Sequence, residues 1–171
     1  GIFQIDIRGF VTVNAPTYGA SSTLIYNATG TYNRNIEWGS TQVQPGYPYH
    51  VIIQNNDTLN LNNTQNTPNA NRYLAGNLTI SPGSSLILNN TGTYTPNILT
   101  VGGNFVLDGT ITLPGTLPAF GEDLHIVGNW TRSATGVFNP NDRAVYFEGG
   151  INSAITANGG ETFPYLRLTK S

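Results

Sequence analysis

The chain has 171 residues, a net charge of −2, no cysteine and only 9% charged residues. This length is enough to bury a sizeable core, while the absence of cysteine excludes disulfides and thiolate metal sites. The seven Lys and Arg residues are scattered along the chain, which argues against nucleic acid as a partner. No 3.6-residue apolar pattern is sustained, so we predict an all-β protein.

The first 49 residues alternate less regularly than the rest. Residues 2–13 predict two short strands that meet near Gly9, residues 23–26 predict another strand, and residues 45–49 predict a loop. We therefore assign residues 1–49 to an N-terminal cap or irregular first coils. Residues 50–171 are assigned to solenoid repeats, in one continuous domain that we expect to be a fragment of a longer, processed protein.

One short pattern occurs three times between residues 74 and 140. Gly76-Asn77-Leu78, Gly103-Asn104-Phe105 and Gly128-Asn129-Trp130 each place an aromatic or aliphatic residue after Gly-Asn, at nearly constant spacing. Each copy continues into a second alternating run after a polar corner. A period in the twenties with strands and no helix predicts a β-solenoid, specifically a right-handed parallel β-helix with coils of about 25 residues.

Stacking of the coils predicts which side chains form the core. Leu78, Phe105 and Trp130 should form one column, and a second column should hold Leu86, Ile111 and Phe138. The Gly-Asn pairs are expected at corners because both residues tolerate positive φ. Asn77, Asn104 and Asn129 are also candidates for a ladder of side-chain amides from coil to coil. The alternative is that they are turn residues only.

Two polar segments lie between these elements. Residues 62–72 are rich in asparagine and predict a loop that projects from one side of the stack. Asp57-Thr58-Leu59 resembles the short Asp-Thr-aliphatic sequence at which Bacteroidetes attach O-glycans to exported proteins. Thr58 is therefore a candidate O-glycosylation site.

A family resemblance covers nearly the whole chain. It rests on the order of Pro16-Thr17-Tyr18-Gly19, Thr23-Leu24-Ile25-Tyr26-Asn27, Glu37-Trp38, the Gly-Asn coils, and an ending with Val145, Phe147, Gly149, Ile155, Phe163, Leu166, Leu168 and Lys170. This order resembles repeat regions of very large Bacteroidetes proteins exported by type IX secretion, the adhesin-like or gliding-associated surface proteins. The resemblance implies an exported β-helix on the outer face of the cell, with neighbouring repeats of the same chain as partners. Arg132 departs from the pattern, which has an apolar inward residue there, and Glu122-Asp123 places charge just before a coil.

Candidate catalytic and metal-binding groups are few. Glu122, Asp123, His125 and Arg132 form the best local cluster for a carbohydrate-active enzyme, but the cluster has no matching carboxylate in the neighbouring coil. We assign no catalytic residues. His50 and His125 lack the spacing of a transition-metal site. Calcium is harder to exclude, since residues 139–142 and 56–57 form oxygen-rich corners, but no metal ligands and no cofactor are assigned.

These patterns favour a structural function for the segment. We expect a rigid spacer or stalk in a large exported cell-surface protein, without enzymatic activity and without insertion into a membrane. The first alternative is a glycan-binding adhesin module, with Tyr47, Tyr49 and Tyr73 as the candidate contact aromatics because they flank irregular segments. The second is a carbohydrate-active enzyme of the β-helix type.

Overall fold

The protein is a parallel β-solenoid of about six coils. This computed structural model describes residues 1–61, 70–88, 98–115 and 122–171, and within them it contains strands and turns but no helix. The predicted all-β solenoid is confirmed, and so is the predicted length of its coils. The strands are β1 (Ile2–Asp6), β2 (Thr23–Asn27), β3 (Gly30–Asn33), β4 (His50–Ile53), β5 (Asp57–Asn60), β6 (Arg72–Leu74), β7 (Leu78–Ile80), β8 (Ser85–Ile87), β9 (Leu99–Val101), β10 (Phe105–Leu107), β11 (Thr110–Thr112), β12 (Glu122–Ile126), β13 (Trp130–Arg132), β14 (Val137–Asn139), β15 (Ala144–Gly149), β16 (Ile155–Ala157) and β17 (Tyr165–Lys170).

Three parallel sheets run along the stack. Sheet A has the order β1-β2-β4-β7-β10-β13-β16, sheet B the order β3-β5-β8-β11-β14, and sheet C the order β6-β9-β12-β15-β17. Every described pairing is parallel, as stacking of successive coils requires. The strands are short because each coil must turn a corner two or three times.

The core consists of columns of apolar side chains, one rung per coil. The predicted column of Leu78, Phe105 and Trp130 is confirmed in sheet A, and all three side chains are fully buried. The predicted column of Leu86, Ile111 and Phe138 is confirmed in sheet B. Alternation within each short strand places one or two side chains inside the stack. Burial of apolar surface is the dominant favourable term in folding, and these columns supply it.

The N-terminal end of the stack is covered. The coil that holds β2 and β3 has no strand in sheet C, and Trp38 lies fully buried there, with its Nε1 donating to the carbonyl of Tyr73 in β6 at 2.8 Å. Residues 1–49 thus contribute strands to sheets A and B as well as this cover. The second strand expected within residues 2–13 is not formed, because the chain turns at Gly9, whose N–H donates to Asp6 O at 2.7 Å, and Arg8 has a φ of 65°.

The C-terminal end is covered on one side only. Sheet B stops at β14, and residues 158–164 follow β16 in its place, with the Phe163 ring 5.3 Å from that of Trp130 and 5.8 Å from that of Phe138. In sheet C, every residue of β17 is exposed, and Leu166 and Leu168 are 46% and 66% exposed although they continue interior columns.

Candidate functional site

The three repeated asparagines lie at successive coils and are joined by hydrogen bonds. Asn104 N donates to Asn77 Oδ1 at 2.9 Å, and Asn129 N donates to Asn104 Oδ1 at 2.9 Å. Each side-chain oxygen therefore accepts from the backbone of the next coil, rather than from the next amide as in the ladder we expected. The side chain thereby bridges the gap between two coils at the corner before sheet A.

The ladder extends beyond the three asparagines in both directions. His50 Nδ1 accepts from Asn77 N at 2.9 Å, so the imidazole takes the place of an amide oxygen one coil earlier. At the other end, Ala154 N donates to Asn129 Oδ1 at 2.8 Å. Position 154 has no side-chain acceptor, and the ladder ends there. The Gly-Asn pattern does not identify His50, because a histidine stands where the later coils have asparagine, although His50 lies one repeat before Asn77 in the sequence.

The glycines of the Gly-Asn pairs serve a different purpose from the one predicted. Neither they nor the paired asparagines are among the residues with positive φ, so the expectation of left-handed corner residues is wrong here. A Cβ at Gly103 would lie 2.4 Å from Asn77 Oδ1, and one at Gly128 would lie 2.6 Å from Asn104 Oδ1. Glycine is required because successive coils approach too closely for a side chain. Positive φ occurs instead at other corners, as at Asn55 and Asn56.

A polar cluster is buried at the N-terminal end of the stack. Glu37 is fully buried, and its Oε1 accepts from Tyr26 Oη at 3.1 Å and from Asn35 N at 2.9 Å. Burial raises the pKa of Glu37, and these hydrogen bonds oppose the shift only in part. Arg34 Nε donates to the Leu61 carbonyl at 2.6 Å. The cluster holds the covering segment to the first coils.

Arg72 occupies an interior position of sheet C, in register with Leu99 of the next coil. Its Nη1 donates to the carbonyls of Ala70 and Asn71, both at 3.0 Å. Burial, and then repulsion from Arg34, lowers the pKa of Arg72 to about 9. A buried charge of this kind is costly, and within the described part of the chain only Nη1 of the guanidinium has acceptors, while Nε and Nη2 are buried without a hydrogen-bond partner.

Arg132 also lies at an inward position, and the structure explains this departure from the apolar pattern. Its Nε donates to Glu161 Oε2 at 2.8 Å, and its Nη1 donates to the Gly136 carbonyl at 3.0 Å. The same Glu161 oxygen accepts from Trp130 Nε1 at 3.0 Å. Arg132 therefore forms a structural ion pair that fastens the segment covering the end of sheet B.

The structure separates His125 from Arg132, two members of the suggested catalytic cluster. His125 Nδ1 lies 2.8 Å from Glu148 Oε2 in sheet C, while Arg132 binds Glu161 at the end of sheet A. The side chains of Glu122 and Asp123 lie outside the description, as do residues 62–69 of the asparagine-rich segment. In the described part of the chain, no three His, Asp or Glu side chains are grouped as a metal site would need.

Side chains at both oxygen-rich corners have hydrogen-bond partners within the chain, although Asp57 Oδ1 is buried without one among the described residues. Asn141 and Asp142 have φ values of 48° and 61°, and Asn141 Nδ2 donates to the Leu113 carbonyl at 2.7 Å. Asp57 is fully buried, and its Oδ2 accepts from Ala28 N at 3.1 Å. Burial raises the pKa of Asp57. Thr58 follows it in β5 and is half-exposed beside Ser85, so its O-glycosylation stays a prediction.

The three candidate glycan-contact tyrosines do not form one surface. Tyr47 and Tyr49 are half-buried and line one cavity of about 310 Å³ together with Tyr18, which sequence analysis did not select. Tyr73 is elsewhere, in β6, where Asn71 Nδ2 donates to its hydroxyl at 3.3 Å. The Pro-Thr-Tyr-Gly motif around Tyr18 and the loop at residues 45–49 were both visible in the sequence, but nothing in it showed that they meet.

A row of side chains on the outer face of sheet C was also missed. The register places Thr100, His125, Tyr146 and Arg167 in successive coils. The rings of His125 and Tyr146 stack with centroids 4.6 Å apart and planes 7° apart, and Arg167 Cζ lies 5.4 Å from the Tyr146 centroid. The contacts among His125, Tyr146 and Arg167 therefore link three successive coils.

Comparison of the chain with family models, with curated proteins and with solved structures finds no match in any of the three. The described residues include no helix with the length and apolar character needed to cross a membrane. What is established is the class of fold, a three-sided parallel β-solenoid, together with the ladder and the covered N-terminal end that stabilise it.

Proposed function

We propose that the chain is a rigid structural spacer in a large exported cell-surface protein, rather than an enzyme. The observation that carries this proposal is the continuous seven-stranded sheet A, in which backbone pairing runs from β1 to β16 and buried apolar side chains line the interior from β2 to β13. Such a solenoid deforms little along its axis, because any bend must break pairing or open the core. The low charge content and the resemblance to exported repeat regions support the cell-surface setting.

The ends of the stack also support a spacer. At the C-terminal end of the stack, β16 and β17 each have an edge that no described strand pairs, and Ile155, Leu166 and Leu168 are between 42% and 66% exposed. Unpaired edges next to an apolar interior favour pairing with further strands. Neighbouring repeats of the same parent chain are the partners that this arrangement fits.

Rigidity can be measured with spin labels, because the chain has no cysteine and two introduced cysteines become the only labelling sites. Gln4 and Thr156 are exposed and occupy the same outward column of sheet A, with six strand steps between them. At about 4.8 Å per step, the backbone separation is about 29 Å. We expect Gln4→Cys with Thr156→Cys to give one narrow distance distribution by double electron–electron resonance.

The matched control is Gln4→Cys with Thr131→Cys, which removes one strand step and should shorten the mean distance by about 5 Å. A broad distribution for the longer pair, or equal distances for the two pairs, would contradict a rigid spacer. Circular dichroism of each variant before labelling shows whether the solenoid is retained.

A further inference from the structure

The cavity beside Tyr18 lies at the covered N-terminal end, outside the stacked columns. Its walls come from residues 17–20, residues 43–49 and Ala75, and its volume is about 310 Å³. Three tyrosine rings contribute to the lining, and none of the lining residues carries a charge. The volume falls at the small end of the range of ligand pockets, which suits one or two sugar rings.

Backbone hydrogen bonds fix this cavity before any ligand arrives. Gly46 N donates to the Pro16 carbonyl at 2.7 Å, which joins the two wall segments. Ala75 N donates to the Pro48 carbonyl at 3.0 Å, and Gly76 N donates to the Tyr49 carbonyl at 2.6 Å. The loop that carries Tyr47 and Tyr49 is thus fastened to the coil above it. A preformed site loses little conformational entropy on binding.

The hydroxyls of the three tyrosines differ in their hydrogen bonding. The Tyr18 hydroxyl donates to the Glu37 carbonyl at 2.9 Å, which fixes its ring, and the Tyr49 ring meets His50 edge-on at 4.7 Å. The hydroxyls of Tyr47 and Tyr49 have no hydrogen-bond partner among the described residues. Two phenols can therefore donate to or accept from a ligand without breaking an existing bond.

Val43 on the rim of the cavity provides an independent observation. Its φ is 55° and its side chain is 84% exposed. A β-branched residue in the left-handed region is strained, and here the exposed side chain gains no burial in return. Strain of this kind concentrates at ligand-binding sites, and a bound ligand would cover the exposed valine.

We propose that this cavity binds a neutral pyranose unit of a glycan. The apolar C–H face of the sugar packs against the tyrosine rings, as amphipathic ligands do on aromatic surfaces. Its hydroxyls bond to the Tyr47 and Tyr49 phenols and to the nearby Gln44 side chain. A charged ligand would find no counter-ion in the lining, and a purely apolar one would bury the free phenols without partners.

The test begins with a screen of the full chain on an array of neutral and acidic glycans, followed by titration of the best neutral oligosaccharide up to millimolar concentration. Tyr47→Ala and Tyr49→Ala should each weaken binding at least about tenfold, equivalent to about 1.4 kcal/mol. Tyr73→Ala is the matched control, because this tyrosine lies outside the cavity, and it should change the affinity less than about twofold.

A second measurement keeps the test valid if a variant does not fold. In the unmutated chain labelled with 3-fluorotyrosine, ¹⁹F NMR should show ligand-dependent shifts for Tyr18, Tyr47 and Tyr49 while Tyr73 and Tyr146 stay unchanged. No binding of any neutral glycan would overturn the proposal, as would binding only to acidic glycans or shifts centred on Tyr73. None of these results bears on the spin-label distances that test the spacer.

Discussion

Gly103→Ala tests the close approach of successive coils. The added Cβ would lie 2.4 Å from Asn77 Oδ1 and 2.8 Å from both the carbonyl carbon and the oxygen of Gly76. Real Cβ contacts are longer than 3.0 Å, so the two coils must separate locally. Because the contacted atoms include backbone, no side-chain rotation can relieve the clash.

The expected cost has two parts. Overpacking a close-packed site costs about 1–3 kcal/mol, and displacing Asn77 Oδ1 weakens the ladder bond from Asn104 N, which is worth about 0.5–1.5 kcal/mol. The sum is about 3 kcal/mol, out of a stability of about 5–15 kcal/mol for a typical domain. The melting temperature should fall by about 6–12 °C in a chain of this length.

Gly19→Ala is the matched control. A Cβ at Gly19 meets no atom within 4 Å and the residue has no positive φ, so alanine should stabilise the protein by about 0.4–1 kcal/mol through the unfolded chain. Urea unfolding followed by circular dichroism gives both free energies. If Gly103→Ala proved as stable as the wild type or as Gly19→Ala, contact between successive coils would not require glycine at this position.

Three further predictions concern groups that the fold buries or links. Glu37→Gln should raise the free energy of unfolding at about pH 7, and the variant should lose this advantage over the wild type below the ordinary Glu pKa of 4.5. The reason is that the folded pKa of Glu37 is raised, so the wild type loses stability as the pH rises from the unfolded pKa to the folded pKa. A wild type that gains stability relative to the variant as the pH rises would contradict this prediction. Glu161→Ala removes the shared acceptor of two buried donors, so it should cost about 2 kcal/mol and increase hydrogen exchange in residues 158–164, and unchanged exchange would refute the fastening role. His50→Ala should cost about 1 kcal/mol by leaving Asn77 N without its acceptor, whereas His50→Asn should stay within about 0.5 kcal/mol of the wild type in thermal melts, and equal losses would show that the acceptor is unimportant.

The structure extends the predicted repeat at both ends. The Gly-Asn pattern covers three coils, yet sheet A has seven strands and includes β1 and β2 from the segment assigned to the cap. Position 50 holds histidine and position 154 holds alanine, so the pattern fades although the register continues. Parallel pairing needs only backbone groups and an apolar inward residue. A motif requires particular residues, so it identifies fewer coils than the structure contains.

The candidate site was predictable only in part. Tyr47 and Tyr49 were selected because they flank a loop. Tyr18 lies in a much earlier segment, which a hydrogen bond from Gly46 N to the Pro16 carbonyl joins to that loop. Tyr73 satisfied the same sequence criterion and lies on a strand. A contact between two irregular segments leaves no periodic signal, because it depends on how each segment folds against the stack.

The sequence alone determined the solenoid. The period, the alternation within short strands and the apolar columns follow from local patterns that repeat, and each copy reinforces the same register. Only the tertiary structure decided why the repeated glycine is needed, since the clash involves the preceding coil, one full repeat away along the chain. It also decided that Arg132 belongs inside, because its partner Glu161 is supplied by a segment that carries no repeat. Long-range contacts between unlike segments are fixed by packing geometry, and that geometry exists only once the chain has folded.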